Sequence, residues 1–331
     1  MDINTPFITD PIERKIVMQS MHGRMKYTLM NDFLAKYSLQ TDLYALKGLL
    51  SALLSIDLDC ITAIEVLNPI EPAGTIGDKD CLLDIKLELN HSDIINIEIQ
   101  SRFQDFWPER SITYLCRTFD HLKAGESYSS VKPCLHIGIL NTDLFKQDDP
   151  RFTGEFYSEY RLLNTSTHTE YSRKFGIHVL SLNRLENASE EDKSNPNGLY
   201  NWARLFRSTT WEDLYMIANE NDRMQSFVGT VRQLSAEEKI SQMCEARRRY
   251  NQEIATYEHY VAERDNIIAD KESLIAEKES VIAEKESVIA EKDSEIAEKD
   301  SEIAEKNSEI ATKNSEIERL KIEIAALKNN Q

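Results

Sequence analysis

The C-terminal part of the chain is a seven-residue repeat, which constrains the fold more than any other feature of the sequence. Isoleucine recurs at every seventh position from Ile268 to Ile324, within copies such as AEKESVI and AEKDSEI. The last glycine is Gly229 and the last proline is Pro196, so neither helix breaker interrupts the repeat. Alanine, glutamate and lysine, which dominate it, are strong helix formers. The pattern therefore predicts a nearly continuous helix over 235–329.

The same repeat gives this helix an apolar seam. With isoleucine at heptad position a, position d is lysine from Lys271 to Lys313 and becomes leucine at Leu320 and Leu327. Lysine in a seam weakens a dimer core, whereas isoleucine with leucine favours one. We therefore expect a homo-oligomer that forms through the C-terminal heptads. The alternative is a single solvated helix or a disordered charged tail.

Charge and cysteine content limit the class of protein. The formal net charge is −18, which excludes a protein that coats nucleic acid by bulk charge, so any such contact must be local. Three serial arginines, Arg247–Arg249, are expected to form a solvated charge cluster. The five cysteines show no CxxC spacing and indicate reduced thiols. Neither a signal peptide nor a run near the ~18 apolar residues of a membrane span is visible. We expect a cytoplasmic protein without a membrane partner.

The rest of the chain mixes helical and strand-like patterns. Leucines recur at the spacing of an amphipathic helix from Thr41 to Leu54. A polar loop is predicted over 187–197 and helices from Tyr200 onward, while 1–30 shows no strong period. Strand-like runs occupy 61–69, 134–140, 159–164 and 175–182. The order of these elements predicts a mixed α/β body before the long helix.

One further stretch, residues 81–100 (CLLDIKLELNHSDIINIEIQ), contains two alternating runs separated by a polar break. Neighbouring residues of a strand point to opposite faces, so the isoleucines of the second run share the core-facing side. If the runs form a hairpin that turns near His91–Asp93, Asp84 lies opposite 98–99. Asp84, Glu98 and Gln100 then converge on one polar face.

Two carboxylates brought close together repel each other unless a proton or a cation lies between them. Oxygen ligands suit a hard ion such as Mg²⁺ or Mn²⁺, which can polarise a phosphate and lower the pKa of a bound water. The seven histidines show no HxxxH or HExxH spacing, and none is predicted to be a metal ligand. The alternative is an ordinary hairpin with one solvated face.

An ordered series of segments resembles a known nuclease family over roughly residues 30–185. The family is the PD-(D/E)XK nuclease family transposases, also called recombination-promoting nucleases. The segments are NDFLAKYSL (31–39), GDKDCLLDIKL (77–87), INIEIQ (95–100), and RSITYLCRTF (110–119) followed by LKAGESY. The resemblance lies in the order and spacing of the whole series.

The resemblance implies roles for individual residues. Asp84 and Glu98 would be the metal-binding carboxylates for Mg²⁺ (or Mn²⁺), and Asp32 matches an acidic position of the opening motif. Gln100 takes the place of the lysine of the wider superfamily. A glutamine orients a water or a phosphate by hydrogen bonds and supplies no charge. We therefore expect Asp84, Glu98, Gln100 and Asp32 to form the catalytic site.

The segment from Pro108 to Gly125 predicts a helix, because proline suits the first turn and glycine the end. Its predicted apolar face carries Ile112, Leu115, Phe119 and Leu122. Its opposite face carries Arg110, Tyr114, Arg117 and His121. Arg110, Tyr114 and Arg117 are candidate contacts to the DNA backbone, since arginine binds phosphate and tyrosine can donate to it. Arg110 and Tyr114 also match positions of the family. The alternative is an ordinary solvated helix face.

The fold class that follows is α/β. The resemblance implies a restriction-endonuclease-like mixed sheet flanked by helices, in a nuclease-like domain over 1–185. A helical extension over 186–234 and the long heptad-repeat helix over 235–331 follow it. The expected function is metal-dependent DNA endonuclease activity by phosphodiester hydrolysis, linked through the family to recombination. The alternative is a catalytically weak or inactive nuclease scaffold that acts as a DNA-binding or oligomeric assembly protein.

Overall fold

A computed structural model describes residues 2–68, 84–103, 106–120, 122, 125–219 and 221–328. The chain divides into two compact units, Met1–Gln252 and Glu253–Gln331. The GTIGDKD segment, residues 81–83 of the first strand-like run and His121 lie outside the described residues. In the part of the chain that is described, no helix is both long and apolar enough to cross a bilayer.

The first unit is built on a mixed sheet, whose six described strands lie in the order β1-β2-β3-β4-β6-β5. Strands β2 and β3 form an antiparallel hairpin, β3, β4 and β6 run parallel, and β1 and β5 are antiparallel edges. The strands are β1 (Ile64–Val66), β2 (Ile85–Leu89), β3 (Asp93–Gln100), β4 (Cys134–Leu140), β5 (Tyr157–Arg161) and β6 (Phe175–Ser181). This arrangement confirms the predicted α/β class with a sheet flanked by helices.

The helices bury one side of the sheet in a single large core. The alternate isoleucines of β3 belong to the same buried cluster as Leu46, Trp202 and Phe227 from three different helices. The helices are α1 (Pro11–Gln19), α2 (Asp32–Thr41), α3 (Leu43–Leu54), α4 (Trp107–Phe119), α5 (Glu190–Ser194), α6 (Leu199–Arg207), α7 (Trp211–Ala218), α8 (Asp222–Ala236) and α9 (Glu238–Lys328). Helices α6 and α8 pack against α3, so the region predicted as a helical extension contributes to this core. The three-part domain division itself stays a prediction.

Two predicted connections contain helices. Helix α1 lies within 1–30, where Asp10 caps the backbone N–H of Ile12 and Pro11 occupies the first turn. Helix α5 lies within the predicted loop 187–197, where Ser189 and Asp192 form a capping box. Both helices are short, so they are specified by their caps and not by apolar periodicity.

The predicted strand over 159–164 is displaced toward the N-terminus. Strand β5 begins at Tyr157, whose hydroxyl contacts the Leu53 carbonyl and lies 2.5 Å from Nδ1 of His178. Leu162 and Leu163 follow the strand and are exposed, and Leu163 makes only an isolated bridge to Glu170. The half-buried Tyr157, and not the two leucines, anchors this edge strand.

Helix α4 covers the other side of the sheet, so the alternative of a hairpin with one solvated face is wrong. The indole of Trp107 packs over Gly138 of β4, where a Cβ atom would lie 2.7 Å from Cη2. Glu98, directly opposite Gly138 in the register, is 1% exposed, and Asn96 is 5% exposed.

The predicted apolar face of helix α4 is wrong in part. Ile112 is 49% exposed, whereas Ser111 and Thr118 are buried together with Trp107 and Leu115. Trp107 fills the space above Gly138 and sets the rotation of the helix. Small hydroxyl residues therefore occupy the close contact with the sheet.

The long helix is confirmed as an element of the fold. Helix α8 ends at Ala236, Glu237 adopts an extended conformation, and α9 continues from Glu238 to Lys328. The backbone between 235 and 328 thus departs from helix at a single described position, Glu237.

Candidate active site

Glu98 lies at the centre of a buried polar cluster on the side of the sheet that α4 covers. Its side chain is 2% exposed, with Oε1 2.9 Å from Nη2 of Arg110 and Oε2 3.5 Å from Nε2 of His136. The alternation of β3 points Asn96 and Glu98 to this side because the isoleucines between them fill the core. Arg110 reaches it from the first turn of α4.

His136 is fixed in one orientation by its neighbours. It is fully buried on β4 beside Asn96, whose Nδ2 lies 3.1 Å from the imidazole Nδ1. An amide nitrogen only donates, so Nδ1 accepts and the ring proton lies on Nε2, which faces Glu98. The rings of Trp107 and Tyr114 lie 5.7 and 6.1 Å from the imidazole, between centroids. The cluster therefore presents a hydrogen-bond donor to the Glu98 carboxylate.

Asp84 lies on the same face as Glu98. It immediately precedes β2, and since Ile85 pairs with Ile97 in the antiparallel register, Asp84 falls opposite Glu98. Its main-chain carbonyl accepts a hydrogen bond of 2.8 Å from Nδ2 of Asn68. This hydrogen bond fixes the chain where it enters the strand.

Lys36 approaches Asp84 from helix α2. Its Nζ lies 3.7 Å from Oδ1 of Asp84, and the two side chains are 3% and 14% exposed. Burial raises the pKa of Asp84, Lys36 opposes this, and Glu98 adds to it. Burial also lowers the pKa of Lys36, against the attraction of Asp32, Asp84 and Glu98. In both groups desolvation outweighs the attraction between the two charges.

The pKa of Glu98 is shifted in the opposite direction to that of Asp84. Burial by itself raises the pKa of Glu98, but His136, Arg110 and Lys36 together outweigh it and hold the pKa below its usual value. Two carboxylates that share one face thus have pKa values pushed apart, an arrangement found at functional sites.

Asp32 lies in the first turn of α2, one helical turn before Lys36. Its carboxylate is held by Arg247 of α9, whose Nε lies 2.8 Å from Oδ1. The expectation of a solvated cluster at Arg247–Arg249 is therefore wrong for Arg247. Arg248 and Arg249 pair with Glu245 at the surface, as expected for solvated residues.

The other predicted site residues are arranged around this cluster. Gln100 ends β3, two positions beyond Glu98 on the same face, and is half-buried. Tyr114 turns toward His136, and Arg110 is 38% exposed while its guanidinium contacts Glu98. Arg117 is exposed in the last turn of α4, away from these contacts. Contact of Arg110, Tyr114 and Arg117 with DNA stays a prediction.

Two members of the cluster, Lys36 and His136, were not predicted from the sequence. Lys36 lies inside NDFLAKYSL, and His136 interrupts the apolar run CLHIGIL. A charged or polar residue within a buried segment is the signal that marks both, since such residues are rarely buried without partners.

The donor set fits a hard divalent ion. Both oxygens of Glu98 are buried, with Nη2 of Arg110 2.9 Å from Oε1 and Nε2 of His136 3.5 Å from Oε2. Mg²⁺ keeps several waters and is often held by only one or two carboxylates, and Asp84 with Glu98 provides two. No group of three or more His, Cys, Asp or Glu residues suited to a metal is present among the residues that the structure describes. Any ion held here would therefore rely on water or phosphate for its remaining ligands.

Residues 30–259 match the family model of the PD-(D/E)XK nuclease family transposase. The match extends beyond the predicted limit near residue 185 and includes α8 and the first turns of α9. No curated protein matches the chain, and no solved structure matches it.

Proposed function

The chain belongs to the PD-(D/E)XK nuclease family transposases, and on that premise we propose that it is a metal-dependent DNA endonuclease. The reaction would be hydrolysis of a phosphodiester bond, without strand transfer. The family supports a nuclease-like function, and DNA cleavage with Mg²⁺ or Mn²⁺ is the specific activity proposed.

Glu98 is the observation that carries this proposal. Its carboxylate is 2% exposed, and His136 and Arg110 hold its pKa below the usual value. Burying a carboxylate costs several kcal/mol unless it is paired or binds a cation. A second carboxylate, Asp84, lies opposite it in the hairpin register. Two buried carboxylates on one face repel each other unless a proton or a cation lies between them, which supports a role for the pair in holding an ion.

The protein groups have distinct proposed roles. Asp84 and Glu98 would hold the ion, which when bound polarises the phosphate and lowers the pKa of a water. His136 and Arg110 fix the orientation of Glu98. Gln100 would donate a hydrogen bond to the attacking water or to a phosphate oxygen.

The groups on helix α4 would position the DNA. Arg110 and Tyr114 lie at the edge of the cluster, with the guanidinium 5.2 Å above the tyrosine ring. Arginine and tyrosine side chains can donate hydrogen bonds to phosphate oxygens, so these two would bind the strand next to the scissile bond. Arg117, exposed two turns along, would contact the backbone farther away. The acidic chain would therefore bind DNA through local contacts.

We further propose that the second unit joins two copies of the chain. Its last two heptads place Ile317, Leu320, Ile324 and Leu327 on one seam, with side chains 48–67% exposed. A parallel in-register pair would bring Glu316 at position g near Lys321 at position e of the other copy. An antiparallel pair centred on the same heptads would oppose Glu316 to Glu323. Charge therefore favours the parallel pair, which would bring two nuclease units together.

The second candidate function is a nuclease scaffold that binds DNA or assembles without cutting. Gln100 favours it, since a neutral amide cannot stabilise a developing phosphate charge as a lysine does. The exposed apolar seam of α9 suits an assembly role as well. Such a protein would keep the oligomer and lose cleavage.

The experiment is a plasmid-nicking assay with Mg²⁺, with Mn²⁺ and with EDTA. Asp84→Ala and Glu98→Ala should each reduce metal-dependent nicking by about 100-fold or more. Glu88→Ala is the matched control, because Glu88 lies on the same face of β2 and pairs with Lys132 at 2.8 Å. It should nick like the wild type. Unreduced nicking in both site variants would place the activity elsewhere, and an inactive wild type would support the scaffold.

A further inference from the structure

We infer that Lys36 supplies, from helix α2, the cationic group that the end of strand β3 lacks at Gln100. Lys36 acts as a positioning residue, because it contacts Asp84 and not the substrate. The inference rests on the proposed nuclease function. The inference assigns a role to Lys36, which lies on α2 and is not part of the motif that contains Glu98 and Gln100 on β3.

The contacts of Lys36 are those of a group inside the site. Its Nζ lies 3.7 Å from Oδ1 of Asp84, and its side chain is 3% exposed. Asp32, Asp84 and Glu98 all attract this ammonium group. Burying an ammonium group costs several kcal/mol unless it is paired, and the partners of Lys36 are the carboxylates of the site. Its burial among carboxylates therefore indicates a role in the chemistry of the site.

Asp32 also attracts Lys36, but its carboxylate already has a cation of its own. Its two oxygens are bound by Arg247, with Nε 2.8 Å from Oδ1 and 3.0 Å from Oδ2. Arg247 in turn repels Lys36. The ion pair that Lys36 itself makes is with Asp84.

The charges of the cluster balance one for one in the protein alone. The acids are Asp32, Asp84 and Glu98, and the bases are Lys36, Arg110 and Arg247. Adding a divalent ion gives a surplus of two positive charges. A phosphodiester and a hydroxide together carry two negative charges, so this surplus matches the reacting groups. Without Lys36 the surplus would fall to one.

Gln100 explains why the charge is needed from another element. It lies on the same face as Glu98, where a cation would stabilise the developing charge on the phosphate. Its amide can orient groups and supplies no net charge. Lys36 provides that charge from helix α2, next to Asp84.

The test uses the full chain with four variants. Lys36→Gln removes the charge, Lys36→Arg keeps it, and Lys36→Gln/Gln100→Lys moves it to β3. Lys47→Gln is the matched control, because Lys47 of α3 is also buried, at 5% exposed, but does not contact the carboxylate pair. Its Nζ lies 3.0 Å from Oδ1 of Asn4, in the N-terminal segment. Circular dichroism verifies that each variant folds.

The first measurement is Mn²⁺ binding by titration calorimetry without DNA. Lys36→Gln should bind Mn²⁺ about tenfold more tightly, because one positive charge next to Asp84 is gone. Lys36→Arg and Lys47→Gln should bind as the wild type does. Equal affinity of Lys36→Gln and Lys47→Gln overturns the inference, whether or not the protein cuts DNA.

The second measurement is plasmid nicking. Lys36→Gln should lose about 100-fold in kcat with little change in KM, and the double variant should recover at least tenfold. A double variant as slow as Lys36→Gln also overturns the inference. An inactive wild type whose Lys36→Gln variant binds Mn²⁺ more tightly contradicts the nuclease proposal and supports the link of Lys36 to the metal site.

Discussion

Asp32 and Arg247 form a forked ion pair that joins helix α2 to the first turns of helix α9, with Nε of Arg247 2.8 Å from Oδ1 and 3.0 Å from Oδ2 of Asp32. The side chains are 8% and 20% exposed, so the pair is largely shielded from water. Nearby, Nδ2 of Asn31 donates to the carbonyl of Cys244 at 2.9 Å. The start of the long helix is therefore part of the first unit.

The first prediction follows from this pair. Arg247→Gln should destabilise the protein by about 3 kcal/mol, because it leaves the buried Asp32 carboxylate without its cation. Asp32→Asn in the same chain should restore part of the loss. Urea unfolding at pH 7 measures both. Arg249→Gln is the control and should cost at most about 0.5 kcal/mol, since Arg249 is 71% exposed. Equal costs for the two arginines would contradict the prediction.

The second prediction concerns the dependence of stability on pH at Asp84. Burial raises its pKa in the folded protein, so between the unfolded and folded values the folded state binds more protons. Stability therefore falls as pH rises through that window. In EDTA, Asp84→Asn should melt higher than the wild type at pH 7, and the difference should vanish below about pH 3.9. A variant that melts lower at pH 7 would contradict this sign.

The third prediction has the opposite sign at Glu98. Its folded pKa lies below the usual value, so its stabilising contribution is complete above the unfolded pKa and is lost as pH falls through the folded one. Glu98→Gln should therefore cost about 1–3 kcal/mol at pH 7, since His136 and Arg110 lose a charged partner. The difference in the free energy of unfolding between Glu98→Gln and the wild type should narrow below about pH 4.3. Glu98 is buried beneath α4, so removing its charge affects the fold as well as the site.

The fourth prediction tests how α4 is seated. Gly138→Ala should cost about 1–3 kcal/mol, because the new Cβ would overlap the Trp107 indole. Trp107→Leu in the same chain should recover part of that cost, so the double variant should be less unstable than the summed single variants. Thermal unfolding measures the cycle. Additive costs would show that the indole does not lie over this glycine.

Local patterns predicted the elements better than they predicted the site. The apolar runs of β4 and β6 predicted those strands to within a residue, and the alternation of the hairpin predicted the pairing of Asp84 with Glu98. Lys36 reaches Asp84 from a helix far along the chain, and no local spacing encodes that approach. The same holds for Asp32 and Arg247, which are 215 residues apart. The burial of Glu98 depends on how α4 packs against the sheet, and the apolar periodicity of α4 did not predict that packing.

The last prediction concerns the second unit and self-association. Ile324 lies at position a of the seam, whereas Ile322 lies at position f, and their side chains are 52% and 70% exposed. Ile324→Ser should weaken the oligomer by removing a seam contact. Ile322→Ser is the matched control, with the same change off the seam, and should not affect assembly.

Sedimentation at tens of micromolar compares these two variants with the wild type and with a chain lacking 266–331. The truncated chain should be monomeric and keep its Mn²⁺ affinity, because the carboxylate pair and its partners all lie within the first unit. Lysine at position d makes most of the seam weak, so the wild-type oligomer should also depend on the final heptads containing Leu320 and Leu327. A monomeric wild type, or equal loss from both serine variants, would exclude the seam and leave the repeat as a solvated helix.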